Sequence, residues 1–245
     1  MVFWFSGWTP QSHLLSARTL TLDIILRNIW DGMVAASPLD QLNLVLGIVG
    51  VWLMVRRTLW AFPVGLVAVT VQGVLFQRAR FPADALLQVF FFVSLAWGWR
   101  HWVRDRGDAP ELPVTVMTWG LRILVIALAG IATAAWALTI GPWTGAAMPW
   151  RDAFIAAFSV AAQILQARKN LENWPLWAAV NTVAIISYWH ADLAYTAFLY
   201  GIYLVLAFAG WSEWRRAMMT TNGAVERMGE RKTPGDRRPH LEPGQ

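Results

Sequence analysis

The densest group of residues able to recognise a small molecule is the run Glu172-Asn173-Trp174-Pro175-Leu176-Trp177-Ala178-Ala179-Val180-Asn181. On a helix, Trp174, Trp177 and Asn181 fall at i, i+3 and i+7 and share one face. Two indole planes can stack on a flat heterocycle and stabilise a cation over their faces by about 0.5–2 kcal/mol. The amide supplies both a donor and an acceptor to hydroxyl or amide groups. An interfacial aromatic belt beside Arg168 and Lys169 would account for Trp174, but not for Asn181, which lies about a turn deeper. Ligand contact is the favoured reading of Asn181, with a hydrogen bond to a neighbouring helix as the alternative.

The solvent around these residues follows from composition. Hydrophobic residues make up 57% of the 245 and charged residues 14%, against about 45–50% and 25% in soluble domains. Seventeen tryptophans are spread along the apolar stretches, and tryptophan favours membrane interfaces and aromatic ligand sites. Seven apolar runs can be read, at Leu39–Val55, Leu59–Phe76, Ala83–Val103, Trp119–Leu138, Ala153–Ala167, Trp174–Trp189 and Leu193–Trp214. At about 20 residues per span they describe an all-α integral membrane protein with seven transmembrane helices. The net charge of +5 then reflects cytoplasmic loops rather than nucleic-acid binding.

Basic residues near the span ends set the orientation. Arg56 and Arg57, then Arg100, Arg104 and Arg106, then Arg168 and Lys169, and finally Arg215 and Arg216 fall on one side, while 139–150 and 190–194 carry no Lys or Arg. This pattern places the N-terminus outside and the C-terminus in the cytoplasm. Arg78 and Arg80 disagree, so either they are functional or the second span is misplaced. Residues 1–37 read as an amphipathic surface segment without the basic start of a signal peptide, and 217–245 as a disordered cytoplasmic tail.

A shift of 112 residues superimposes Gly98, Trp99, Trp102 and Arg104 on Gly210, Trp211, Trp214 and Arg216, Pro63 on Pro175, and Arg56-Arg57 on Arg168-Lys169. Four spans separate equivalent positions, so the two copies are parallel in the membrane. Residues 38–104 form the first three-helix repeat, 105–149 a linker with the fourth helix, and 150–216 the second repeat. In transporters built this way the ligand site lies near mid-membrane between the repeats. Gln88, equivalent to Tyr200, would set two hydrogen-bonding groups around that cavity, and Gln163 is the deeper polar group of the fifth span. Each of these three residues could equally serve as glue between helices.

Enzyme signatures are absent: there is no HExxH, GxSxG or P-loop, and the four histidines stand apart from one another, not at metal-ligand spacing. With no Cys there is no thiolate nucleophile or disulfide framework. No catalytic residue, metal ligand or cofactor is expected. The intramembrane carboxylate chain of proton-coupled carriers is also missing, which leaves facilitated diffusion as the simplest mechanism. A membrane scaffold anchored by its tryptophans is the competing description.

The run Arg168-Lys169-Asn170-Leu171-Glu172-Asn173-Trp174-Pro175-Leu176-Trp177 with Asn181, and the run Ala83–Phe92 leading to Trp97-Gly98-Trp99, resemble the bacterial nicotinamide riboside transporter (PnuC) family over about residues 38–216. The resemblance implies a 3+1+3 fold akin to SWEET sugar transporters and an inner-membrane location. It also implies uptake of nicotinamide riboside, an NAD precursor, down its gradient, with retention through phosphorylation by a cytoplasmic kinase. Carried over by residue, Trp174, Trp177 and Asn181 match the family's substrate motif, Gln88 its third-helix glutamine, and Tyr200 a seventh-helix tyrosine. Pro82 and Ala68 depart from the family pattern. Thiamine, also a flat cation, is the alternative substrate, followed by riboflavin and deoxynucleosides. The oligomeric state is left open, a homo-oligomer included.

Overall fold

The computed structural model describes residues 22–80, 82–139, 141, 148–191 and 193–232. Eight helices are found among them: α1 (Leu22–Ala35), α2 (Pro38–Val55), α3 (Ala61–Arg78), α4 (Pro82–Arg104), α5 (Trp119–Thr139), α6 (Pro149–Ala167), α7 (Asn173–His190) and α8 (Ala194–Lys232). Proline marks many of the starts. Pro38, Pro82 and Pro149 open α2, α4 and α6, while Pro63 and Pro175 sit in the first turns of α3 and α7, where a missing N–H costs no intrahelical bond. Ser37 caps α2 in a reciprocal box with Asp40.

The seven apolar runs correspond to α2 to α8, with Leu59, Trp60 and Leu193 standing just before their helices. Four helices, α2, α3, α5 and the Ala194–Thr220 part of α8, are both long and apolar enough to cross a bilayer. Their outward residues include Ile123, Ile131 and Leu138 of α5 and Val205 and Phe208 of α8, all exposed, a surface suited to lipid and not to water. The arrangement is that of an integral membrane helical protein.

Two features differ from the sequence reading. Helix α8 continues through 217–232, where a disordered tail was expected; only 233–245 lie outside the described residues, as do 1–21 of the N-terminal segment. The second apolar run is not misplaced, because α3 covers it, and Arg78 and Arg80 are exposed at its end. Of the N-terminal segment, α1 is described and packs on α8, with Gly32 against Tyr195.

The 112-residue shift carries the bounds of α3 onto those of α7, the end of α2 onto the end of α6, and the start of α4 onto that of α8. The turns agree atom for atom. After α2, Arg57 N–H bonds Met54 O and Thr58 N–H bonds Leu53 O; after α6, Lys169 N–H bonds Gln166 O and Asn170 N–H bonds Leu165 O. Both turns are Schellman closures in which the left-handed position is held not by glycine but by a cation, Arg57 and Lys169 each at φ 58°.

Packing closes a ring, α2 on α3, α3 on α4, α4 on α6, α6 on α7, α7 on α8 and α8 back on α2, with α5 outside against α6. The ring is clasped where the two halves meet. Trp102 Nε1 of α4 donates to Ala167 O of α6 at 3.0 Å, and Trp214 Nε1 of α8 donates to Met54 O of α2 at 3.1 Å. Glycines admit the aromatic rings beneath: a Cβ on Gly98 would stand 2.9 Å from Ala167 Cβ and 3.2 Å from the Phe62 ring, and one on Gly210 would overlap the Trp174 ring. Gly98→Ala and Gly210→Ala should therefore both lower thermal stability in detergent. Gly210→Ala should cost more, about 1–3 kcal/mol, because the rigid indole it meets is itself wedged against Trp214.

Candidate functional site

Inside the ring lies a cavity to which all six ring helices contribute. It runs from mid-helix towards the end of the bundle that carries the α2–α3 and α6–α7 turns. Gly50, Val51 and Met54 of α2, Ala61, Gly65 and Val69 of α3, and Phe91 and Leu95 of α4 line one side. Gln163 and Gln166 of α6, Trp174, Trp177 and Asn181 of α7, and Tyr203 and Ala207 of α8 line the other. No lining side chain is charged.

Four of the six residues singled out from sequence, Trp174, Trp177, Asn181 and Gln163, meet on this cavity. Trp177 Nε1 donates to Gln166 Oε1 at 2.7 Å, which fixes the plane of its indole. Trp174 stands edge-on to Trp214, with centroids 5.3 Å apart and planes at 89°. Its Nε1, like Gln163 Nε2, is buried with no hydrogen-bond partner among the described residues. A buried donor left in this way costs free energy.

Gln88 and Tyr200 do not line the cavity. Gln88 is buried one to two turns away along α4, beside Gly73, and its amide has no partner among the described residues. Tyr200 is fully buried, stacked on Tyr188 at 5.4 Å and edge-on to Tyr203 at 6.5 Å, so it touches the cavity wall from behind. The equivalence of these two positions under the repeat shift did not place them on one surface. Gln166 and Tyr203 are the polar lining residues that the sequence reading did not select. Gln166 follows Gln163 by three positions, one helical turn, and Tyr203 follows Tyr200 likewise, so the spacing held the signal.

The basic end is closed by aromatic rings and a charge cluster. Trp102 and Trp214 are edge-on at 5.7 Å, and Phe62 is edge-on to Trp102 at 5.0 Å. Beyond them, Glu111 of the α4–α5 linker receives both repeat-equivalent cations, Arg57 Nε at 3.1 Å and Lys169 Nζ at 3.0 Å. Lys169 is fully buried, donates also to Leu112 O, and lies 4.5 Å from the centroid of the Trp102 ring. Burial pulls the Lys169 pKa below the ordinary lysine value, and Glu111 draws it part of the way back. The linker is further tied to the second half by Thr115 N–H to Lys169 O, Leu171 N–H to Thr115 O, and Glu172, which accepts from Met117 N–H and Arg122.

Comparison with known proteins agrees with this arrangement. The family model described as nicotinamide mononucleotide transporter matches residues 37–216. The riboflavin/roseoflavin transporter RibM of Streptomyces davaonensis is 30% identical over 178 residues, covering 71% of this chain and 83% of that protein. The nicotinamide riboside transporter PnuC of Escherichia coli is 25% identical over 178 residues, covering 61% and 73%. The crystal structure of the vitamin B3 transporter PnuC superposes with a TM-score of 0.62 at 20% identity, over 80% of this chain and 90% of that one, and shows the fold to be shared. With well over half its length matched, the chain belongs to the nicotinamide mononucleotide transporter family and is a multi-pass membrane transporter.

Proposed function

We propose that this protein carries a flat heteroaromatic vitamin with a hydroxylated tail across the bacterial inner membrane by facilitated diffusion. The observation that carries the reading is the cluster of Trp174, Trp177, Gln163 and Asn181 on one uncharged cavity enclosed by both halves of the ring. Indole planes suit the ring and the amides suit the tail. Riboflavin and nicotinamide riboside share this plan, and they are the substrates in the names of the two relatives. Nicotinamide riboside is the substrate that the sequence motif suggested, and its pyridinium cation would be held by the indole faces.

The proposed architecture is seven spans, α2 to α8, in which α2–α4 and α6–α8 are parallel repeats joined by α5. Alternating access is a movement of one repeat against the other. The basic end, with Arg56, Arg57, Arg104, Arg168 and Lys169, faces the cytoplasm, which puts the N-terminus outside. A cytoplasmic kinase acting on the imported vitamin would keep the gradient inward.

Tryptophan fluorescence of the purified protein tests the substrate, because two tryptophans stand on the proposed site. Titration with riboflavin, nicotinamide riboside, thiamine and thymidine should give saturable quenching by riboflavin or nicotinamide riboside. Saturation only by thiamine would replace the two named substrates within that class, saturation only by thymidine would overturn the vitamin class, and saturation by none would remove the small-molecule reading.

A further inference from the structure

The two halves meet along two seams, α4 against α6 and α8 against α2, which are equivalent under the 112-residue shift. On the surface of the bundle at the first seam, towards the basic end, a groove is lined by Phe90, Val93, Ser94 and Trp97 of α4 and by Ile164 and Arg168 of α6. Its chemistry changes with depth. Phe90 and Val93 stand deepest, Ser94 follows, and Trp97 and Arg168 form the rim, with Trp97 about 10 Å along α4 from Phe90 at 1.5 Å per residue. Val93, Trp97, Ile164 and Arg168 are exposed. Trp97 is braced at the rim by His101, which stacks on it at 5.1 Å. Arg168 forms no ion pair among the described residues.

The second seam carries the same backbone with other side chains. Leu206 stands in the place of Ser94 and Ala209 in that of Trp97, so both the hydroxyl and the rim indole are lost there. Arg56, the counterpart of Arg168, lies 5.9 Å from the centroid of the Trp52 ring, and Trp52 takes the place of Ile164. That cation has an aromatic partner in its own helix, whereas Arg168 has an aliphatic neighbour one turn away.

A groove on a bilayer-facing surface that is hydrocarbon at depth, hydroxyl-bearing midway and cationic at its rim matches a phospholipid with net negative charge. An acyl chain would lie on Phe90, Val93 and Ile164, the glycerol esters would meet Ser94, and the phosphate would take the guanidinium beside an interfacial indole. We propose that the α4–α6 groove binds one anionic phospholipid, with Arg168 as its headgroup ligand. Such a lipid touches both halves next to a clasp, because Ala167, which accepts from Trp102, precedes Arg168. The inference needs a bilayer around the bundle and does not depend on which vitamin is carried.

Native mass spectrometry tests it on the full chain, stripped of lipid in detergent and then supplied with palmitoyl-oleoyl phosphatidylglycerol or phosphatidylcholine. Wild-type protein should hold its first phosphatidylglycerol about five- to tenfold more tightly than phosphatidylcholine. Arg168→Gln should bring that ratio to within about twofold of one, and Arg56→Gln should leave it at the wild-type value. A wild-type ratio near one, which needs no variant to fold, would overturn the proposal, as would equal losses in the two variants. Displacement of the lipid by free glycerol 3-phosphate would make the groove a site for soluble phosphate esters and overturn the lipid assignment. Fewer chains per particle in Arg168→Gln, at an unchanged lipid ratio, would give the groove to a second copy of the chain and overturn it equally.

Discussion

Asn181→Ala should lower the affinity for the transported vitamin by about 10- to 100-fold, the range for losing a buried hydrogen-bonding group at a ligand site. Its thermal unfolding should remain close to wild type, because the side chain faces the cavity and the helix gains a better helix former. Trp177→Phe is the companion variant. It keeps a ring plane but loses the Nε1 donation to Gln166, so the ring should no longer be fixed and affinity should fall by about tenfold. Trp177→Ala should abolish detectable binding, since it removes both the stacking plane and its tether. Fluorescence titration of each variant, beside its unfolding temperature, separates a loss of recognition from a loss of fold. Unchanged affinity in Asn181→Ala and in Trp177→Ala would remove α7 from the site.

The second large effect is expected at the charge cluster. Lys169 is fully buried, and the carboxylate that neutralises it comes from the linker. Glu111→Ala leaves that cation beside a carbonyl and an indole face only, while Arg57 keeps its contacts with Glu213. Removing one partner of a buried pair is strongly destabilising, but Glu111 is itself 43% exposed. Solvent screening reduces the cost to about 1–3 kcal/mol. Lys169→Met removes the charge, keeps the bulk, and should cost less. In the double variant part of the Glu111→Ala loss should be recovered, because no buried cation is left unpaired. Thermal unfolding of the three variants in detergent gives the coupling directly, and strict additivity would show that Glu111 and Lys169 do not act together.

These two predictions differ in how far the sequence foretold them. The α7 motif could be read because its spacing is helical and its residue types are rare in apolar spans: Asn181 has no ordinary place in lipid. The helices themselves were legible for a related reason, since apolar runs long enough to span must be helical. The repeat was found through residues that are identical in both copies, and the structure explains their identity. Gly98 and Gly210 admit Phe62 and Trp174, and Trp102 and Trp214 make equivalent hydrogen bonds across the ring.

Identity pointed to the clasps, however, and the cavity is built where the copies differ. Gly65, Val69 and Phe91 look like ordinary span residues, and only their contact with the space opposite Trp177, Asn181 and Tyr203 gives them meaning. Gln88 and Tyr200 show the converse. They are polar and equivalent under the shift, yet Gln88 is buried beside Gly73 and Tyr200 is covered by Tyr188. Glu111 lies in a linker without periodicity, so nothing in the sequence linked it to Arg57 and Lys169, 54 and 58 residues away. Past Ala217, charges and two glycines break the apolar pattern while the helix continues to Lys232, since a helix once nucleated propagates through residues of modest propensity.

On the proposed function a vitamin crosses the membrane through the cavity between the two halves without an energy source. Counterflow in proteoliposomes examines this step. Vesicles preloaded with unlabelled riboflavin or nicotinamide riboside and diluted into trace labelled vitamin, with neither ATP nor an ion gradient present, should accumulate label transiently with wild-type protein and fail to do so with Asn181→Ala. Accumulation that requires an imposed proton or sodium gradient, or that proceeds equally well in Asn181→Ala, would contradict the account.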